Sequence, residues 1–128
     1  MKVHDDIEKT LREFRSQEKV IGLTCIAPII AAKVFGDQKI KLTLGGRTEN
    51  FPYAGSIDAA SSFGAEMEET DVNGVTTDWK NNTITTPAYM QGDASPHAVF
   101  DGIQNFLRRV NSVVLQKQAT QKQNEMKD

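Results

Sequence analysis

VIGLTCIAPIIAAKVFG, residues 20–36, changes character at its midpoint. Residues 19–24, KVIGLT, read as a short buried strand. Residues 27–35 read as a helix, with Pro28 in the first turn, where its missing N–H costs nothing, and Gly36 as a stop signal. The lone cysteine, Cys25, falls in the turn between them. A strand that passes directly into a helix is the unit from which α/β sheets are built.

The flanks repeat this alternation. Val3, Ile7, Leu11 and Phe14 recur at helical spacing with charges between them, which predicts an amphipathic first helix. Residues 39–44, KIKLTL, alternate apolar and polar side chains and predict a strand with one polar face. After the loop GGRTENFPYAG, Ser56 is expected to cap a short helix ending near Gly64. Residues 67–72 are a candidate strand, though MEETDV forms strands poorly. Val75 to Thr86 reads as a hairpin turning at Lys80-Asn81-Asn82 and ended by Pro87.

Ser95 and Pro96 then form an N-cap and first-turn pair. The strongest helical stripe in the chain follows: Val99, Ile103, Phe106, Leu107, Val110, Val113 and Val114. Gly102 within it costs about 1 kcal/mol relative to alanine and marks the close approach of another backbone. From Gln116 the sequence is polar and aperiodic, a frayed end or a loose helical extension. The expected organisation is one α/β domain over residues 1–115 and a polar tail over 116–128. The chain opens on a helix where a doubly wound sheet normally opens on a strand, so the sheet is expected to be incomplete at its N-terminal side.

Composition narrows the function. In 128 residues the net charge is −2, with both signs spread along the chain and no basic block, which argues against nucleic acid. The longest apolar run, Val20 to Phe35, is interrupted and shorter than the ~20 residues of a membrane span. One cysteine excludes an intramolecular disulfide and suits a reducing compartment. The acidic N-terminus does not read as a transit or signal peptide. Two distant histidines and one cysteine make no zinc pattern.

Cys25 supports two readings. A thiol attacks as the thiolate, which the unpaired amides and dipole at a helix N-terminus favour. The amides of Ile26 and Ala27 could face the sulfur or an oxyanion formed beside it, as in a nucleophile elbow. Against this, free cysteine is among the most buried residue types. The residues alone leave both open. His4 and His97 have no spacing to Cys25 that argues for a dyad.

GLTCIAPIIAAKVF, FPYAGSIDAASSFGAE and NNTITTPAYM resemble, in order and spacing, the C-terminal half of the ElbB-like family. That family includes bacterial isoprenoid-biosynthesis glyoxalases and animal mitochondrial ES-one proteins, within the class I glutamine amidotransferase-like superfamily. The resemblance covers roughly residues 2–114, and PYAG places it nearer the eukaryotic branch. It implies a flavodoxin-like fold, an α/β sheet with helices on both faces, with Cys25 as the elbow cysteine. It also implies thiol addition to a small 2-oxoaldehyde without metal, glutathione or other cofactor, or to early glycation adducts. Thr85 and Thr86, with Pro87, fall in a matching segment and take a supporting role.

The acid that bonds the cysteine in that superfamily, and its glycine-rich oxyanion loop, lie in the other half and have no match here. The histidine that often follows the elbow is also missing. The resemblance therefore implies weak or absent activity, or a shortened or partial chain that acts by association, as a homo-oligomer or with a partner that completes the sheet. It implies a mitochondrial location, otherwise a cytoplasmic one. An amidotransferase-type hydrolase ranks lower, since Asp78 has no histidine near it in sequence.

Overall fold

The computed structural model describes the backbone of residues 1–126 and the side chains of residues 1–123. Helix α1 spans Asp5–Ser16, strand β1 Ile21–Thr24 and helix α2 Pro28–Phe35. Strand β2 (Lys41–Thr43), helix α3 (Gly55–Ser62) and strand β3 (Glu66–Glu68) follow. The hairpin strands β4 (Thr76–Asp78) and β5 (Thr83–Thr86) precede the long helix α4, Pro96–Met126.

The strands form an α/β architecture with a mixed sheet. Three strands lie in the order β1-β5-β4. β1 runs parallel to β5, with Ile21 opposite Thr83 and Thr24 opposite Thr86. β4 is antiparallel to β5, with Thr76 opposite Thr85. β2 and β3 make a separate parallel pair. Side chains join the two ladders: Lys41 N donates to Asp78 Oδ2 at 2.8 Å, and Thr43 N donates to Thr85 Oγ1 at 3.0 Å. A continuous flavodoxin-like ladder is thus replaced, among the described residues, by two ladders bridged through Asp78 and Thr85.

Helices cover both faces. Alternation along β1 and β5 sends Ile21 to one side and Ile84 to the other. Ile21 joins Leu11 of α1, Ala31, Val34 and Phe35 of α2, Leu42 of β2, and Ile57 and Ala60 of α3 in the larger core. Ile84 packs under Phe106 and Val113 of α4. Phe35 is almost fully buried, which contributes about 2–3 kcal/mol relative to leaving it in water.

Several boundaries depart from the sequence expectations. Ser56 does not cap α3: the cap position is Ala54, and Ser56 Oγ donates to the carbonyl of Tyr53. Gly36 does not stop the chain after α2. A 3₁₀ turn continues through Gln38, and the left-handed residue that ends it is Lys39, at φ 55°. Gly36 is required for space instead, since a Cβ there would lie 1.9 Å from the carbonyl oxygen of Phe63. The candidate strand at 67–72 contracts to Glu66–Glu68, because Thr70 N and Thr70 Oγ1 turn back to Gly45 O and Thr43 Oγ1. The polar stretch from Gln116 is a direct continuation of α4 through Met126, and residues 127–128 lie outside the described residues. No helix among the described residues is long and apolar enough to cross a membrane.

Candidate active site

The elbow forms because β1 delivers the chain at its carboxyl end and α2 starts three residues later. Cys25 N donates to Thr86 O at 3.1 Å, one step beyond the β1–β5 register. The chain then reverses, and Ala27 N donates to Thr24 O at 3.1 Å. To make this turn Cys25 adopts φ 60°, a left-handed conformation that L side chains enter only at a cost. Across the site, Ala88, just past the end of β5, is also left-handed at φ 48°. Strained non-glycine residues at the carboxyl ends of two adjacent strands are the kind of backbone found at ligand sites.

Cys25 is half-buried and free. It opens onto a pocket of about 570 Å³ lined by Cys25, Ile26, Pro52, Tyr53, Gly55, Ser56, Tyr89 and Met90. No lining residue carries a formal charge. The loop before α3 supplies one wall and the 3₁₀ turn Ala88–Met90 the other. Tyr53 and Tyr89 are exposed at the rim, while Met90 is buried behind them.

The expected oxyanion pair is halved. Ala27 N is occupied by Thr24 O, and the next amides feed the first turn of α2, with Ile29 N donating to Ile26 O and Ile30 N to Ala27 O. Pro28 has no N–H. Ile26 N is the elbow amide that makes no hydrogen bond among the described residues.

Thr85 and Thr86 are both buried, and their hydroxyls are spent on structure. Thr85 Oγ1 accepts from Thr43 N, and Thr86 Oγ1 donates to Gly74 O at 2.8 Å. What they offer the elbow is the main-chain carbonyl of Thr86.

No carboxylate or imidazole hydrogen-bonds Cys25 among the described residues. His4 caps α1 through Nδ1, which accepts from Asp6 N at 3.2 Å. His97 is exposed on α4 and faces Asp101 at 3.4 Å. Asp78 is consumed by structure: its carboxylate accepts from Lys41 N, Asn81 N and Asn81 Nδ2. Burial works to raise its pKa, but the hydrogen bonds from Asn81, Lys41 and Lys80 outweigh this and hold it below the usual carboxylate range. No group of three or more His, Cys, Asp or Glu side chains capable of holding a metal occurs among the described residues.

Comparison with known proteins gives this geometry a setting. Over 112 residues the chain is 38% identical to the rat ES1 protein homolog, mitochondrial, covering 85% of this chain and 41% of the relative. The chain is similar to part of the ES1 proteins. The human glutamine amidotransferase-like class 1 domain-containing protein 3, mitochondrial, matches equally, at 38% identity over 85% of this chain and 41% of its own length. The zebrafish ES1 protein, mitochondrial, is 31% identical over 116 residues. The chain thus spans about two fifths of the length of the ES1 relatives it matches. No family model matches the chain.

Among solved structures, an isoprenoid biosynthesis protein with an amidotransferase-like domain from Ehrlichia chaffeensis superposes with a TM-score of 0.73 at 24% identity. It covers 85% of this chain and 47% of its own. The fold is therefore amidotransferase-like. Pro52, Tyr53, Tyr89 and Met90 line the pocket without having been singled out in the sequence. Their signal lay in the PYAG and TTPAYM segments, which carry no titratable group that marks a site on its own.

Proposed function

We propose that this chain carries a cysteine-dependent site of glyoxalase or deglycase type, in which Cys25 adds to the aldehyde carbon of a small 2-oxoaldehyde. The observation that supports it is the left-handed Cys25 elbow at the mouth of an uncharged pocket. A pocket without a cation suits a neutral carbonyl compound better than a carboxylate-bearing one.

In the addition, the thiolate sulfur forms a bond to the aldehyde carbon. The carbonyl π pair moves to the oxygen, which takes up a proton, giving a hemithioacetal. Ile26 N–H is the donor available to the developing oxyanion. Conversion to a hydroxy acid then needs a base to move a proton from the former aldehyde carbon to its neighbour, followed by hydrolysis of the thioester. In this reading the base for that proton shift comes from a partner chain, and the part of the reaction carried by this chain is the addition. The compartment proposed with this activity is the mitochondrion, which appears in the names of all three relatives.

The test is methylglyoxal consumption by the purified chain beside Cys25→Ala, together with iodoacetamide labelling of Cys25 with and without methylglyoxal. Turnover lost in the variant, or labelling slowed by methylglyoxal, supports the reading. Equal turnover by Cys25→Ala, or labelling indifferent to the aldehyde in a chain without turnover, overturns it. The second reading, association without catalysis, is favoured by the lack of a proton acceptor on the sulfur among the described residues.

A further inference from the structure

Three exposed apolar residues gather round the one cysteine. Ile26 is 48% exposed, Tyr53 61% and Tyr89 56%. They come from the elbow, the loop before α3 and the 3₁₀ turn after β5, and all three border the Cys25 pocket. Large apolar side chains scattered singly in water need no explanation, but a cluster of them round a concavity marks a place where something apolar binds.

Both walls of that concavity are held from behind. Phe51 is buried against Gly45 and Gly46, where a Cβ at either position would press on its ring. This anchors the loop one residue before Pro52. Gly92 N then donates to Asn50 O at 2.8 Å, and a Cβ on Gly92 would meet the ring of Pro52 at 3.1 Å. The loop that carries Tyr53 and the segment that carries Tyr89 are therefore fastened to each other, and the spacing of the walls is set before any ligand arrives.

The surface they enclose is hydrocarbon for the most part. Ser56 Oγ donates to Tyr53 O at 2.7 Å, so its hydroxyl is engaged within the loop. Ile26, Pro52 and Met90 offer aliphatic carbon and a thioether, and no lining residue is charged. A three-carbon 2-oxoaldehyde such as methylglyoxal fills a small part of about 570 Å³, since pockets of about 300–1,000 Å³ hold much larger ligands. What lies beyond the aldehyde in this pocket is apolar wall.

We propose that the Cys25 site takes 2-oxoaldehydes whose keto carbon bears an apolar tail of several carbons, with the aldehyde at the thiol and the tail between Tyr53 and Tyr89 over Met90. This rests on the reading of Cys25 as the group that adds to the aldehyde. In that addition the S–C bond forms, the carbonyl π pair goes to the oxygen, and the thiol proton ends there. The step is reversible and needs no further reactant, so selectivity for the tail is visible without turnover.

The test measures how strongly 2-oxopropanal, 2-oxobutanal, 2-oxopentanal and 2-oxohexanal protect Cys25 from iodoacetamide, each normalised to the same aldehyde's addition to N-acetylcysteine. The half-protecting concentration is expected to fall about two- to fourfold per added methylene, and on the order of tenfold across the series, as burial of CH₂ groups does. Tyr53→Ser and Tyr89→Ser, at exposed positions where the fold should persist, are each expected to reduce that gain severalfold. Leu107→Ser, at an exposed apolar position of α4 outside the pocket, is expected to keep it. Melting curves of the variants report on folding separately. Equal protection across the series, or a gain that survives both tyrosine variants, overturns the inference and leaves the addition chemistry standing. Protection by none of the aldehydes overturns the addition chemistry and the inference with it.

Discussion

The main-chain N–H of Cys25 donates to the carbonyl oxygen of Thr86 at 3.1 Å while Cys25 itself sits at φ 60°. The thiol-bearing residue is thus the last rung of the β1–β5 ladder and the first residue of the turn into α2. The ladder holds in place a backbone conformation that the residue would not choose for itself.

That strain gives a measurable sign. Glycine adopts left-handed φ freely, whereas alanine and especially valine do not. Cys25→Gly should be more stable than Cys25→Ala by about 1 kcal/mol, and Cys25→Val less stable than either. Urea unfolding of the three variants checks the order. A ranking with valine highest would mean that Cys25 is not left-handed in solution.

Asp78 makes the fold acid-sensitive. Its carboxylate ties β2 to the hairpin and has a folded pKa below its ordinary value of 3.8. A group depressed in the folded state stabilises above its unfolded pKa, and the contribution is lost as pH falls through the folded value. Stability should therefore fall from about pH 4 downward, and Asp78→Asn should flatten this slope. At neutral pH the same variant should cost about 3 kcal/mol, since a carboxylate accepting from two buried donors and one half-buried donor is replaced by a group that cannot accept from all of them. Urea midpoints at pH 7 and pH 3 measure both effects.

Much of this arrangement was legible in the sequence, for identifiable reasons. The strand, turn and helix around Cys25 are signalled by KVIGLT and by Pro28, and the hairpin by TITT and Asn81-Asn82, because short-range sterics decide both. Gly102 stood out as a misfit in its helix, and the reason is the carbonyl of Val72 beside it. Long-range hydrogen bonds were not legible. Thr85 spends its hydroxyl on Thr43 N, 42 residues away, and nothing near Thr85 in the sequence announces that. The use of Ala27 N within the turn depends on the φ of Cys25, which residue type does not give. The pocket walls come from Tyr53 and Tyr89, which only the fold brings to Cys25.

Gly102 offers a prediction in which two effects oppose. In an isolated helix, glycine to alanine gains about 1 kcal/mol. Here an added Cβ would meet Val72 O at 2.4 Å, a backbone atom that cannot move alone. Overpacking of this kind costs about 1–3 kcal/mol, so Gly102→Ala should be destabilising overall. Thermal melting decides the sign, and a stabilised variant would show that α4 stands further from Val72 than described.

The far end of α4 separates stability from local structure. Val113 is buried, while the side chains described beyond it are half-buried or exposed. There Gln116, Lys117, Thr120 and Gln121 of α4 form a groove with Gln17, Glu18 and Trp79, the lone tryptophan of the chain. Trp79 is 51% exposed, and α4 shields part of what remains. Ending the chain after Leu115 removes surface contacts and no core side chain, so it should cost no more than about 0.5 kcal/mol. The same truncation should shift Trp79 emission to longer wavelength as water replaces the helix beside the indole. Fluorescence spectra and urea curves on the two lengths test both halves of the statement. An unchanged emission maximum would place α4 away from Trp79, and a large loss of stability would make the polar extension part of the core.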